Sequence, residues 1–372
     1  MRYVHEFRDP AVAAALAKSI ARRAAEAADA RPGALPLTIM EVCGTHTVAI
    51  FRHGVRQLLP PGVRLLSGPG CPVCVTPNGE IDQAIALVGA PGVTLTTFGD
   101  MLRVPGSRSS LQQARAGGAD VRIVYSPLDA VRLAQSAPDR QVVFFAVGFE
   151  TTSPAVAGAL VEARRLGLRN FSAFSAHKLI PPAMRLLLES GETRIDGFLC
   201  PGHVSAIIGA RPYEFIARDY GVPCVVAGFE PLDVLQAIDM LVAQVAAREA
   251  RVEIQYRRTV RWEGNPAALR CLDEVFEPHD VAWRGLGVIP RSGLRLRPSY
   301  QELDAALRFP VETPPAREHP GCLCGAVLRG AKEPPECKLF GRTCTPEHPI
   351  GPCMVSTEGT CAAWYQYSGV QG

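Results

Sequence analysis

From residue 37 to about residue 241 short apolar runs alternate with helix-like stretches, and this alternation limits the fold more than any other feature of the chain. Strands separated by helices cannot close as tight hairpins, so the pattern reads as parallel sheets built from strand-helix-strand units, an α/β class of fold. Strands are expected at residues 37–42, 63–66, 93–97, 121–125, 141–147, 170–174, 195–199 and 222–227. Helices are expected at 45–59, 80–88, 154–166, 182–189 and 231–249. Eight strands exceed one small sheet, and 372 residues suggest two or three domains. The polar stretch 135–140, with Ser136 and Pro138, is the expected boundary between α/β units spanning 1–136 and 137–290. Residues 291–372 form a third unit.

That third unit is of another kind. The periodic pattern thins beyond Arg291, and from Thr313 proline, glycine and cysteine dominate, with six of the chain's twelve cysteines in this tail. So few aliphatic residues cannot bury enough apolar area to offset the entropy of ordering, so a metal centre is expected to fix the segment. Hydrophobic content of 47% and charged content of 20% exclude wholesale disorder and fibrous architectures elsewhere. With 39 basic against 36 acidic residues and no long run of like charge, a dedicated nucleic-acid surface is not expected. Arg, Asp and Glu interrupt the apolar N-terminal stretch, which reads as an amphipathic helix rather than a signal peptide. No run approaches the ~20 apolar residues of a membrane span. Twelve cysteines without a secretion signal point to the reducing cytoplasm and to thiols used for metal or redox chemistry.

Three cysteine motifs carry that chemistry. Cys322, Cys337, Cys344 and Cys361 are widely spaced, with Cys324 and Cys353 interleaved. Thiolates suit iron–sulfur clusters and zinc alike, but the long gaps differ from a zinc ribbon, which favours a cluster. Gly68-Pro69-Gly70-Cys71-Pro72-Val73-Cys74 places a CxxC directly after a strand, where two thiols form a disulfide or share a metal and one is expected to have a lowered pKa. Cys43-Gly44-Thr45-His46 sits where a strand gives way to a helix; amides there favour a thiolate, and His46 can carry a proton or bind metal. Asp100, Glu150, His177 and His203 lie at comparable strand ends, where helix capping is the plainer reading, and Thr152, Ser153 and Pro154 read as a helix start. Cys224 and Cys271 read as small core residues. Two short echoes are present: Val147-Gly148-Phe149-Glu150 recurs as Ala227-Gly228-Phe229-Glu230, and Cys43-Gly44-Thr45-His46 resembles Cys200-Pro201-Gly202-His203. Phosphate-loop, dinucleotide, zinc-protease and serine-hydrolase motifs are missing from the sequence.

Taken together, Glu41-Val42-Cys43-Gly44-Thr45-His46-Thr47, the GPGCPVC segment, Gly148-Phe149-Glu150-Thr151-Thr152 and the C-terminal GPCMVSTEGTCAAWYQY resemble the HypD family of hydrogenase maturation factors over nearly the whole chain. The resemblance implies two similar α/β domains followed by a domain holding a four-iron four-sulfur cluster on Cys322, Cys337, Cys344 and Cys361. It implies that Cys324 and Cys353 are a redox-active pair beside the cluster, as in ferredoxin-thioredoxin reductase. It implies a complex with the small protein HypC in which Cys43, beside His46, holds an iron that receives cyanide from HypE and also acquires carbon monoxide. Cys71 and Cys74 correspond to the family's essential CxxC, and Asp100, His203 and Glu358 to further positions of functional weight. The expected function is therefore assembly of the Fe(CN)2CO moiety of nickel-iron hydrogenase, serving the hydrogenase large subunit indirectly, by a scaffold rather than a conventional turnover enzyme. The competing expectations are a cluster-dependent thiol-disulfide reductase and a zinc-folded interaction protein.

Overall fold

The computed structural model describes residues 5–30, 33 and 35–369. The chain first lays down Leu37–Glu41 (β1) and Val63–Ser67 (β2) as a parallel pair. It then leaves to build a separate four-stranded parallel sheet from Val93–Thr97 (β3), Val121–Ile123 (β4), Gln141–Ala146 (β5) and Phe171–Ser175 (β6), in the order β4-β3-β5-β6. On its return Gly197–Pro201 (β7) pairs with β1, and Cys224–Ala227 (β8) and Val252–Ile254 (β9) extend the first sheet to the order β2-β1-β7-β8-β9. An antiparallel hairpin, Phe276–Trp283 (β10) and Gly287–Leu296 (β11), follows.

All eight expected strands are present, and the fold is α/β with two parallel sheets. The limit expected at 136/137 falls between β4 and β5, which share one sheet, and the limit at 290/291 falls within β11. Local periodicity reports that a strand exists but not which strand it pairs with, so a return to β1 after the whole second sheet leaves no mark in composition. The helix expected at 45–59 is two, Gly44–Arg52 and Val55–Leu58, broken at Gly54, whose φ of 64° is cheap only for glycine. β9, the hairpin and helix Pro266–Val275 were not anticipated.

Alternation along the strands divides the core. Leu37 and Ile39 of β1, Val63 and Leu65 of β2, and Val225 and Ala227 of β8 face one layer, covered by helices Pro10–Ala30 and Pro231–Ala246 through Ile20, Ala24, Leu235 and Ile238. Met40, Leu66, Phe198, Cys200, Cys224 and Val226 face the other layer. That second layer also contains Cys71, Cys74, Cys324 and Cys353, so the first sheet and the cysteine-rich tail meet on a shared apolar core rich in thiols. Cys271, expected in the core, is only partly buried on its helix, with Sγ 3.8 Å from the Pro154 carbonyl. No helix among the described residues is long and apolar enough to cross a membrane.

A thiol-lined candidate site

The motifs converge at the carboxyl ends of the first sheet, where parallel strands release their chains into loops and helix N-termini. β1 ends at Glu41, and Cys43, in extended conformation, is the N-cap of helix Gly44–Arg52. The loop after β2 folds back on it: the Gly44 amide donates to the Gly70 carbonyl at 2.9 Å, and the Gly68 amide to the Glu41 carbonyl at 2.7 Å. A Cβ on Gly70 would stand 2.1 Å from the Cys43 amide nitrogen, so only glycine lets the CxxC loop lie against Cys43.

Burial sets the protonation of this corner. Cys43 is pushed up to about 12, first by burial and then by the Glu358 and Glu41 carboxylates, which outweigh the helix N-terminal amides. The expectation of a stabilised thiolate is therefore reversed: without a cation Cys43 keeps its proton. Glu41 accepts from the Cys43 amide at 3.0 Å and from the Thr47 hydroxyl, and burial raises it to about 7. His46 is fully buried, and its Nε2 lies 3.0 Å from the Gly228 carbonyl, which can only accept. Nε2 therefore carries the proton, leaving the Nδ1 lone pair without a hydrogen-bond partner among the described residues. Burial lowers this imidazole to about 4, so it is neutral and presents a free nitrogen base.

The echo sequences meet here. Phe229, which follows β8, stacks on His203 at 3.9 Å and lies 4.7 Å from His46, joining the two His motifs through one ring. Glu358 enters from the tail, accepting from the Thr45 hydroxyl at 2.6 Å, with its Cβ so close to Gly44 that a side chain there would meet it at 2.5 Å. Helix Thr360–Tyr367 fixes that approach by packing Trp364 5.2 Å from Phe51. Asp100 is apart from this group. It lies in the turn after β3, and no hydrogen bond or ion pair among the described residues joins it to Cys43, Cys71 or Cys74.

A line of thiols leads away from the corner. The Cys71 sulfur accepts from the Cys74 amide at 3.3 Å, which caps the short helix Pro72–Val75. Cys74 is fully buried, its thiol raised mainly by burial, and its Sγ stands 4.0 Å from the Pro352 carbonyl, one residue before Cys353. Cys353 and Cys324 lie with sulfurs 2.9 Å apart. Beyond them one apolar cavity is lined by Cys322, Cys324, Cys337, Cys344, Cys353 and Cys361, all six tail cysteines. Among the described residues no three potential ligands close on a single point as one metal ion requires; the thiols surround a space. That arrangement, all-sulfur and dry, suits a polynuclear iron–sulfur group, whose thiolates attach at separate corners, better than one zinc with four ligands at about 2.3 Å.

Several contributors were not picked out from sequence: Phe229, Glu41 with Thr47, the Pro352 carbonyl, and Arg284, which is buried and ties the turn after the CxxC through Thr76 and Asn78. The echo at 227–230 was the available signal for Phe229, and Glu41 and Thr47 flank the Cys43-Gly44-Thr45-His46 motif six residues apart; the Pro352 carbonyl and Arg284 depend on contacts between distant segments.

Fold and site together define a two-sheet α/β protein with a buried cysteine-based site at strand ends. Residues 12–368 match the family model described as HypD: Hydrogenase formation hypA family. The Hydrogenase maturation factor HypD of Azotobacter vinelandii is 53% identical over 374 residues, covering 99% of this chain and 97% of that one. Its counterparts in Escherichia coli (strain K12) and Rhodobacter capsulatus are 50% identical, with 99% of this chain and 98% of that one covered, and 49% identical, with 100% and 99%. The chain belongs to the HypD family, and its role lies in hydrogenase maturation.

Proposed function

We propose that the chain is a cytoplasmic scaffold on which iron acquires cyanide and carbon monoxide, with HypC and HypE as partners and the hydrogenase large subunit as eventual recipient. The observation that carries this reading is the thiol line from the cavity lined by the six tail cysteines through Cys353 and Cys324 to Cys74, ending in a loop laid against Cys43.

Cys43 is the residue that takes the iron cargo. A soft, low-spin iron bearing cyanide and carbonyl prefers thiolate, and its charge displaces the proton that burial and two carboxylates hold on the sulfur. The bare Nδ1 of His46, kept neutral by burial, serves as a second donor to that iron. Phe229 holds His46 and His203 in place, while Glu358 closes the corner from the tail side. Asp100, on the neighbouring sheet, belongs to the surface that a partner brings to the cargo. Cys71 and Cys74 exchange between dithiol and disulfide, as do Cys324 and Cys353. Cys322, Cys337, Cys344 and Cys361 would hold a four-iron four-sulfur cluster in the cavity they line. Such a cluster supplies single electrons at low potential.

The deciding measurement is an infrared spectrum of anaerobically purified protein, co-expressed with its small partner, in the region of metal-bound cyanide and carbonyl. Bands that vanish in Cys43→Ala are expected. A blank spectrum beside an intact cluster would instead assign the molecule as a cluster-dependent thiol-disulfide reductase.

A further inference from the structure

The cysteine cavity has one large neighbour. A cleft of about 810 Å³ opens between residues 103–113, Asn78 and the tail segments 317–322 and 347–350, and Cys322 lines both cleft and cavity. The cleft is thus the side from which an outside reductant reaches the thiols. Its charge is lopsided in a chain whose totals nearly balance: Arg103, Arg108, Arg284 and Arg317 stand against Glu318 and Glu347. Arg108 and Arg317 are exposed, and their guanidinium groups make no hydrogen bond or ion pair among the described residues. Arg284 is 4% exposed and pairs with Glu318 at 3.6 Å, so it belongs to the floor of the cleft rather than to its free charge.

The loop is not built as a phosphate cradle. The Ser107 amide and hydroxyl both donate to Asp82, at 2.8 and 2.5 Å, and Ser110 is used in capping its own helix. What is left for a visitor is a rim of long, flexible cations, which suits a broad acidic surface better than a small anion.

We propose that this cleft docks a small acidic electron-carrier protein that reduces the tail thiols. The inference rests on the redox reading above. Each carrier gives up one electron; two electrons and two protons from solvent cleave a Cys324–Cys353 disulfide to two thiols while two carriers are oxidised. Transient redox encounters are small and steered by charge, which the two unpaired arginines at the rim, Arg108 and Arg317, provide.

The test uses the full chain with its cluster reconstituted and a reduced plant-type ferredoxin as the acidic carrier, with Arg108→Glu/Arg317→Glu as the variant. Carrier affinity and the rate of thiol appearance should each fall about 10- to 100-fold in the variant, and similarly for the unmodified chain between low and 0.3 M salt, on the order expected for steered association. Reduction by methyl viologen radical, itself a cation, should be unimpaired in the variant. Unchanged ferredoxin binding in a variant that viologen still reduces would overturn the docking while leaving the redox reading intact. Tight, saturable binding of pyrophosphate in place of the carrier would make the cleft a small-anion site and also overturn it. A reconstituted chain whose thiols neither reductant can reach would defeat the redox reading itself.

Discussion

Val147-Gly148-Phe149-Glu150 and Ala227-Gly228-Phe229-Glu230 are near copies, each following a strand of a parallel sheet, yet the two do opposite things. After β5, Phe149 is buried and stacked 5.9 Å from Trp283, and Glu150 is sealed beneath it, accepting from the Ile180 amide with its other oxygen unpartnered among the described residues. After β8, Phe229 is only half buried and carries two histidines, while Glu230 reaches out to Arg8 at 2.8 Å. The hairpin, through Trp283, covers the first copy; on the second Tyr256 stands edge-on to Phe229 at 5.9 Å and leaves it only partly buried. Identical strand-end chemistry becomes core or site according to what packs on top.

The glycines offer the sharpest contrast. Gly70→Ala drives a Cβ into the Cys43 backbone, which cannot give, so loss of iron retention and of soluble yield is expected in metal analysis of the purified protein. Gly148→Ala meets the Thr152 side chain, whose hydroxyl can rotate away but whose Cβ, 2.9 Å off, must shift slightly, so it should cost some stability while iron retention is kept. Equal outcomes would mean that the CxxC loop is not pinned as described. Next in size, Phe149→Ala should cost about 3–5 kcal/mol in denaturant unfolding. Phe229→Ala should cost about 1 kcal/mol, yet disturb the histidines and iron binding more. A Phe149→Ala cost no larger than that of Phe229→Ala would dissolve the distinction between covered and open copies.

The smallest effect is one of pH. Burial raises Glu150 to about 7, whereas an unfolded glutamate ionises near its ordinary value of 4.5. Between these values the unfolded state sheds its proton first, so stability falls as pH rises from about 5 to 8, by at most roughly 3 kcal/mol for this group. Glu150→Gln retains an acceptor for the Ile180 amide and should remove that part of the slope. Urea unfolding across the range checks it, and an unaltered slope would place the titration elsewhere.

Much of the architecture was open to inspection in the sequence, because eight of the nine parallel strands are short apolar runs bounded by turn residues and sit where expected; β9, Val252–Ile254, is three residues long with Glu253 at its centre and gives no such run. The hairpin was hidden by Pro278, Pro290 and Arg291, whose polar and ring-constrained character breaks the alternation of a strand, although their exposed positions tolerate it. In the site, cysteine spacing announced the tail cavity and the CxxC. It did not announce that Cys43 would be flanked by Glu41 and Glu358 and hold its proton, since Glu358 arrives from more than three hundred residues away. The order of motifs along the chain is visible in one dimension; their charge environment is not.

The detour of the chain has a consequence for its birth. β1 and β2 emerge from the ribosome first, but β7, which pairs with β1, follows β2 by about 130 residues, a delay on the order of ten seconds of synthesis. During that interval the second sheet can close on itself, because its four strands are consecutive, whereas β1 presents a bare apolar edge. The site corner, formed by β1, β2, β7 and β8 and closed by Glu358 near the end of the chain, is thus among the last parts to assemble, so that it is complete only once nearly the whole chain has been made.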